Sequence, residues 1–311
     1  MDKKAKIVSI GTYIPNNREQ NYDKVIKFGY DESFLIKKLG FIEIAKKDED
    51  DTTLNMCLKA YQNLKYQIEH KLDDIQIVTV VTQNPTINIP HTSAMIHNVL
   101  NLSEKCMTFD ISQGCAGYVH AVQIMMPLMD SLKMNNGLIF TCDSYNEIID
   151  PEDKNVCMIF GDGATASLIS RECKEGYILK DSEFGTAGNS NNSLIINEGK
   201  LHMNGWKIFQ HAKNNVPKSV NIILNRNGIR EDEIDLFILH QGSKHIVESL
   251  RKEMKLSNEQ TEFNSGHIGN TISSSVPLQL SNHFGNSCKS KIILCGFGVG
   301  VTWGTCLLEY L

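Results

Sequence analysis

The stretch Asp110-Ile111-Ser112-Gln113-Gly114-Cys115-Ala116-Gly117-Tyr118 places a cysteine between small residues, where an apolar strand-like segment gives way to a helix-like one. The small neighbours let the backbone turn sharply and leave room for a substrate to approach the sulfur. A thiol at the first turn of a helix faces unpaired backbone N–H groups and the positive end of the helix dipole, and both favour the nucleophilic thiolate. We therefore interpret Cys115 as a nucleophile, although a buried structural role is more common for any single cysteine.

The composition is that of an ordinary soluble globular protein. Of the 311 residues, 41% are hydrophobic and 22% charged, and the net charge is −5. This charge argues against nucleic-acid binding as the main function, and no apolar run is long enough to cross a bilayer. The segment from Met1 to Lys6 lacks the apolar core of a signal peptide, and the nine cysteines include no Cys-x-x-Cys pair. We expect a cytoplasmic protein with reduced thiols, no metal site, and no nucleic-acid or membrane partner.

Segments with strand and helix patterns alternate along the chain. Residues Ile75 to Thr82 form a β-branched run typical of a buried strand, and Ile234 to Leu239 form another in the second half. Residues Val216 to Gly228 read as a helix ended by glycine, whereas Gly185 to Gly199 are rich in Asn, Ser and Gly and read as a surface loop. The alternation predicts an α/β fold whose sheets are covered on both faces.

Two further segments present a polar residue after an apolar run. His240 follows Phe237-Ile238-Leu239, and Asn270 lies in Gly266-His267-Ile268-Gly269-Asn270-Thr271. Taken singly, this histidine is more often a hydrogen-bonded structural residue, and the asparagine a turn residue or a helix cap. Ligand sites in open α/β sheets, however, form beyond the carboxyl ends of the strands. Cys115, His240 and Asn270 could therefore converge in one Cys-His-Asn site.

Seven segments, spread in order over nearly the whole chain, carry a resemblance to one enzyme family. They are IPHTSA from Ile89, GCAGY around Cys115, FGDGATA at residues 160–166, MNGWKIF from Met203, LHQGSKHIV from Leu239, GNTISSSVP from Gly269 and GFGVGVTWG from Gly296. The chain resembles β-ketoacyl-ACP synthase III, a condensing enzyme of the thiolase fold. The resemblance implies two similar βα halves, residues 1–172 and 173–311, packed in α/β/α/β/α layers.

The resemblance also implies a reaction and its catalytic residues. Cys115 would accept an acyl group from a thioester of coenzyme A or acyl carrier protein, with no bound cofactor. His240 and Asn270 would offer N–H donors to the enolate formed as a malonyl thioester loses CO2. The backbone N–H groups of Cys115 and Val299 would hold the oxyanion formed when that enolate attacks the acyl group. The implied protein is an acyltransferase of fatty-acid synthesis that acts as a homodimer.

Further residues acquire roles in substrate binding from the same resemblance. Ile89 corresponds to a residue that reaches into the acyl pocket of the partner subunit, and Arg251 and Lys252 could meet an acidic carrier protein or simply form a solvated helix face. Positions that match the coenzyme A site are Phe34, Lys38, Lys154, Met203, Gly205, Phe209 and His245. Phe34 replaces a tryptophan of the family, and Lys38, Lys154 and His245 replace arginines. Lysine and histidine cannot reproduce the paired hydrogen bonds of arginine to phosphate.

These departures leave other functions open. The acyl group could pass from Cys115 to an alcohol or amine, for example on a sugar or a specialised metabolite, with His240 as general base and no decarboxylation. A cysteine hydrolase would use the same three residue types. A non-catalytic partner subunit is the third alternative, although such a subunit has no need of all three.

Four other conspicuous residues receive no catalytic role. Asp162 lies between Gly161 and Gly163, where an aspartate fixes a turn. We expect His267 on a surface loop, and Trp206 and Trp303 in the core or along a tunnel.

Overall fold

One mixed β-sheet runs through the molecule. The computed structural model describes residues 3–68, 74–285 and 289–311. Met1 and Asp2, which begin the segment predicted to lack the apolar core of a signal peptide, lie outside the described residues. The strands are β1 (Lys6–Tyr13), β2 (Asn17–Gln20), β3 (Glu43–Lys46), β4 (Ile75–Val81), β5 (Met107–Ile111), β6 (Asn136–Cys142), β7 (Ala164–Ser170), β8 (Tyr177–Thr186), β9 (Leu194–Asn197), β10 (Lys200–Met203), β11 (Leu236–Leu239), β12 (Lys291–Gly298) and β13 (Thr302–Tyr310). The helices are α1 (Tyr22–Lys27), α2 (Thr53–Gln67), α3 (Thr92–Val99), α4 (Gly117–Leu132), α5 (Gly205–Asn227), α6 (Lys244–Glu253) and α7 (Ser275–Leu280).

The sheet joins two sets of strands, one from each half of the chain. Its order is β11-β12-β13-β8-β1-β7-β6-β4-β5. Strands β1 and β8 meet through the residue pairs Lys6 with Ile178 and Ile7 with Tyr177, whereas β1 pairs with β7 along nearly its whole length. Strand β4 is parallel to both β5 and β6, and β11 is parallel to β12. The segments that follow β5, β11 and β12 carry the residues of interest for function.

Helices cover both faces of each set and also fill the space between them. Helix α4 packs between the sets, where Val119 and Met125 belong to one apolar cluster with Ile77, Ile292 and Leu294. Helix α2 covers the outer face of the first set, and helices α5 and α6 cover the outer face of the second. Alternate residues of β12 point to opposite faces, since Ile293 belongs to the outer cluster. The layers are therefore α/β/α/β/α, and the predicted fold class is confirmed.

The segment between β8 and α6 differs from the prediction. Helix α5 begins at Gly205 rather than Val216 and continues through Pro217. The side chain of Asn204 caps it by accepting a hydrogen bond from the Lys207 N–H at 3.1 Å. The sequence pattern was misleading because a proline normally stands in the first turn of a helix, not in its middle.

The predicted loop from Gly185 to Gly199 is also wrong, since most of it has regular structure. Strand β8 continues to Thr186, and β9 and β10 form an antiparallel hairpin. The turn of the hairpin is Glu198-Gly199, with φ angles of 49° and 73°. A two-residue turn with both φ angles positive matches the right-handed twist of the strands, and glycine adopts it without strain. No helix within the described ranges has the length and apolar character needed to span a membrane.

Asp162 connects three loops at the start of β7. It is fully buried, and its carboxylate accepts hydrogen bonds from the Lys47 N–H (2.8 Å), the Ser144 hydroxyl (3.0 Å) and the Asn146 amide (2.7 Å). Burial raises the pKa of this carboxyl, whereas the hydrogen bonds that it accepts lower it. These contacts are those of a residue that fixes the loops around it.

We expect Asp162→Ala to lower the free energy of unfolding by about 3 kcal/mol, because several buried donors lose their acceptor at once. Urea denaturation followed by circular dichroism measures this change. The matched control is Asp232→Ala, which removes an exposed carboxylate paired with Arg230 and should leave stability unchanged. Equal stability of the two variants would contradict the structural role of Asp162.

Candidate active site

Cys115, His240 and Asn270 line one cavity of about 430 Å³. Their exposed fractions are 6%, 2% and 4%, so each side chain is almost completely shielded from bulk solvent. They come from three distant parts of the chain, and the fold brings them together at the ends of the strands. The cavity is open to the surface and its wall is mostly apolar.

Cys115 lies between the end of β5 and the start of α4. The Gly117 N–H donates to the Gly114 carbonyl at 2.7 Å, which closes the turn around the cysteine. Strand β12 passes directly against this turn, because a Cβ atom at Gly298 would lie 2.8 Å from the Cys115 Sγ. A Cβ atom at Gly296 would lie 2.9 Å from the Cys115 carbonyl oxygen. Only glycine permits such a close approach of two backbones.

His240 follows β11 directly and is fixed by the neighbouring parallel strand. Its backbone N–H donates to the Cys295 carbonyl of β12 at 2.9 Å, and the Phe297 ring stands perpendicular to the imidazole at 5.4 Å. Burial lowers the pKa of His240 to about 3. Its Nδ1 atom is buried and has no hydrogen-bond partner among the described residues. The imidazole is therefore neutral at physiological pH.

Asn270 lies in a loop that pairs with the segment before β7. Its backbone N–H donates to the Ile159 carbonyl at 2.8 Å, and the Gly161 N–H donates to the Asn270 carbonyl at 3.0 Å. The side-chain oxygen Oδ1 accepts a hydrogen bond from the Ile272 N–H at 2.9 Å. Because the protein engages this oxygen, the amide nitrogen is the group that can donate toward the cavity.

Several residues predicted to bind coenzyme A also line the cavity. They are Phe34, Lys38, Met203, Gly205, Phe209 and His245. The His245 and Phe209 rings lie 5.1 Å apart, and burial lowers the pKa of His245, as does the charge of Lys38 to a smaller extent. Lys154 does not line the cavity. Its Nζ lies 5.9 Å from the Tyr30 ring, which stacks on Phe34 at 4.0 Å.

Other predicted residues are not among those that line the cavity. Ile89 is 88% exposed, and Arg251 and Lys252 occupy the last turn of α6. Val299 directly follows Gly298, so its backbone begins beside Cys115. His267 is exposed and its Nδ1 lies 3.3 Å from the Glu43 carboxylate, as expected for a surface loop.

The two tryptophans differ from each other. Trp206 lines the cavity and is 67% exposed, so its placement in the core is wrong, whereas a position along the tunnel agrees with the structure. Trp303 is partly buried and packs against the outer cluster of α5 and α6.

Sequence reasoning did not identify the apolar wall of the cavity. The residues concerned are Leu39, Ile159, Phe160, Leu194, Ile208 and Phe297. In the sequence such residues cannot be told from ordinary core positions. The available signal was that Phe160 and Phe297 each directly precede a glycine in the recognised motifs.

Comparisons with known proteins agree over the whole chain. The profile of 3-oxoacyl-[acyl-carrier-protein] synthase III matches residues 109–188, and that of its C-terminal part matches residues 224–310. The β-ketoacyl-[acyl-carrier-protein] synthase III of Campylobacter fetus is 30% identical over 331 residues, and that of Ehrlichia ruminantium 26% over 319, with 99% of both chains covered in each case. The solved structure of 3-oxoacyl-[acyl-carrier-protein] synthase III from Aquifex aeolicus is 26% identical with a TM-score of 0.90, covering 98% of this chain and 100% of the other. The chain belongs to the 3-oxoacyl-[acyl-carrier-protein] synthase III family.

Proposed function

We propose that the protein is a condensing enzyme that joins an acyl group held on Cys115 to a malonyl thioester on a carrier protein, with loss of CO2. The observation that carries this proposal is the meeting of a thiol, a neutral imidazole and an oriented carboxamide, all buried side chains, in one cavity. The names of the relatives support it, because they specify a synthase that acts on acyl carrier protein.

The first step is acylation of the cysteine. The Cys115 sulfur attacks the carbonyl carbon of an acyl thioester, a C–S bond forms, and the donor thiol leaves with the proton of the cysteine. Cys115 directly precedes Ala116, the N-cap of α4, so it lies at the positive end of the helix dipole. The backbone N–H groups of Cys115 and Val299 serve as donors to the oxyanion that forms later, when the enolate attacks this acyl group.

The second step is decarboxylation and condensation. The bond between the malonyl carboxylate and its α-carbon breaks, CO2 leaves, and the electron pair becomes an enolate. N–H groups of His240 and Asn270 donate to the enolate oxygen, where negative charge develops. The enolate carbon then attacks the acyl carbonyl on Cys115, a C–C bond forms, and the cysteine leaves as a thiolate.

The protonation state of His240 suits this second step. A neutral imidazole carries one N–H, and its two nitrogens are not equivalent here because Nδ1 is buried with no hydrogen-bond partner in the described part of the chain. An N–H on the buried Nδ1 would lack an acceptor and lose the free energy of its hydrogen bond to water, so we place the proton on Nε2. Substrate oxygen is then the acceptor of the Nε2 N–H.

The acyl donor is a thioester of coenzyme A or of acyl carrier protein, which share a pantetheine arm. Support comes from the lining of the cavity, where the charge of Lys38 acts on His245 and the His245 ring lies 5.1 Å from the Phe209 ring. Arg251 and Lys252 lie on α6, the helix that contributes His245 and Ile246 to the cavity. We assign these two cations to contact with an acidic carrier protein.

The proposed enzyme is a homodimer of two copies of this chain. Strand β5 lies at the edge of the described sheet and Met107 on it is exposed, as are Ile87 and Ile89 in the loop before α3. Unprotected edge strands with apolar neighbours readily pair with another chain. In such a homodimer the exposed Ile89 would reach the acyl pocket of the partner subunit.

We expect incubation of the protein with acyl thioesters of coenzyme A or of acyl carrier protein to add one acyl group to Cys115. Mass spectrometry of the intact protein detects this addition as an increase in mass. We expect Cys115→Ala to remain unmodified, because the attacking sulfur is gone. Cys157→Ala is the matched control, since it removes another buried cysteine of the same apolar cluster and should be acylated normally. Acylation of the Cys115→Ala variant would contradict the proposed nucleophile. If the acyl group on Cys115 does not react with malonyl thioesters but is transferred to alcohols or amines, the acyl-transfer alternative is favoured.

We expect Asn270→Ala to slow CO2 release from malonyl carrier protein by about 10²–10³-fold, because one of two donors to the enolate is lost. Acylation of Cys115 should persist, since Asn270 has no role in that step. Rapid-quench measurement of both half-reactions separates the two effects. Unchanged decarboxylation in this variant would refute the assignment of Asn270.

The neutral state of His240 also has a consequence for stability. In the unfolded chain a histidine binds a proton below about pH 6.5, whereas folded His240 binds one only near pH 3. Unfolding therefore takes up a proton in this window, so stability falls as the pH decreases. Between pH 6 and pH 4 we expect wild type to lose about 1.4 kcal/mol per pH unit more than His240→Asn. Urea denaturation at several pH values measures how the free energy of unfolding of each protein changes with pH. Equal slopes for the two proteins would show that the pKa of His240 is the same in the folded and the unfolded chain.

A further inference from the structure

The turn that follows Asn270 has an unusual backbone. Ile272 is fully buried and has a φ angle of 55°, in the left-handed region that β-branched residues rarely occupy. In this conformation its N–H donates to the Asn270 Oδ1 at 2.9 Å. Such a conformation persists only where the surrounding structure enforces it.

The next residue supplies that enforcement through a buried carboxylate. The Ser273 hydroxyl donates to the Asp143 Oδ2 at 2.5 Å, and the Ser273 N–H approaches the same oxygen at 3.4 Å. Both residues are fully buried. Asp143 directly follows β6, so this contact ties the strained turn to the centre of the first set of strands.

The other carboxylate oxygen of Asp143 is also engaged. Its Oδ1 accepts from the Gln83 N–H at 2.7 Å, in the loop after β4, and the Thr82 side chain donates to the same carboxylate. Burial raises the pKa of Asp143 to about 6, although each of these hydrogen bonds lowers it. Burying a carboxyl group lowers the stability of the fold unless hydrogen bonds compensate for the lost water. Here the buried carboxyl of Asp143 joins the ends of two strands to the turn that carries Asn270.

We propose that Asp143 and Ser273 are positioning residues for decarboxylation. Their hydrogen bond holds the turn of residues 271–273 in the form in which the Ile272 N–H fixes the Asn270 oxygen and leaves the amide nitrogen facing the cavity. Neither residue lines the cavity. This inference rests on the proposed function of Asn270 as a donor to the enolate.

The test compares the two half-reactions in Ser273→Ala and Asp143→Asn. We expect acylation of Cys115 to remain at the wild-type rate, whereas CO2 release from malonyl carrier protein falls about 10- to 100-fold, since small misplacements of a catalytic group have effects of this size. The control is Ser219→Ala, which removes another buried serine hydroxyl, bonded to the Thr305 hydroxyl at 2.6 Å. Both half-reactions should be unchanged in the control.

A purely structural role would slow acylation and CO2 release together, and that result would overturn the proposal. So would CO2 release at the wild-type rate in both variants. Crystal structures of wild type and Ser273→Ala provide a measurement that does not depend on the reaction. We expect the contact between the Ile272 N–H and the Asn270 Oδ1 to be lost in the variant, and its retention would also overturn the proposal. Absence of CO2 release in wild type would instead count against the proposed function, and the crystal structures would then decide the positioning role alone.

Discussion

The contact between Gly298 and Cys115 is the constraint on which the site depends. Gly298 ends β12 in the second half of the chain, and Cys115 precedes α4 in the first half. A Cβ atom at Gly298 would come within 2.8 Å of the sulfur, so any other residue would push the two segments apart. Helix α4 lies between the two sets of strands and is buried against both, which holds this contact in place. Cys115 thus lies where the two sets of strands meet.

Burial sets the chemistry of the groups around this contact. The imidazole of His240 stays neutral because burial removes the water around its charged form, and its Nδ1 has no hydrogen-bond partner among the described residues. Asp143 and Asp162 are equally buried, but each accepts several hydrogen bonds, and these bonds connect loops. Burial thus has a different consequence for each kind of group. In His240 it keeps an N–H donor uncharged. In the two aspartates, the hydrogen bonds that offset burial fix the backbone around the cavity.

The three polar residues that meet in the cavity were easier to predict from the sequence than the apolar surface around them. Cys115, His240 and Asn270 each follow an apolar run or lie beside a glycine, and such local patterns survive in a single sequence. The apolar wall could not be predicted, because Ile159 or Leu194 looks like any core residue until the cavity is seen.

The part of helix α5 before Val216 and the contact between Asp143 and Ser273 were missed for different reasons. Pro217 stands in the middle of α5. Because proline is normally found in the first turn of a helix, its position in the sequence predicts that a helix begins there. Asp143 and Ser273 are 130 residues apart, so the strain at Ile272 and the bond that maintains it exist only in the folded chain. Long-range contacts of this kind leave no local pattern.

The most direct measurement is a single turnover of enzyme already acylated on Cys115, mixed with malonyl carrier protein. CO2 release and loss of the acyl group from the cysteine are followed together in the same rapid-quench samples. We expect one CO2 for each acyl group lost, at the same rate, with a ketoacyl product on the carrier. Loss of the acyl group without CO2 would contradict the conclusion that the thiol, the imidazole and the carboxamide act together in one condensation.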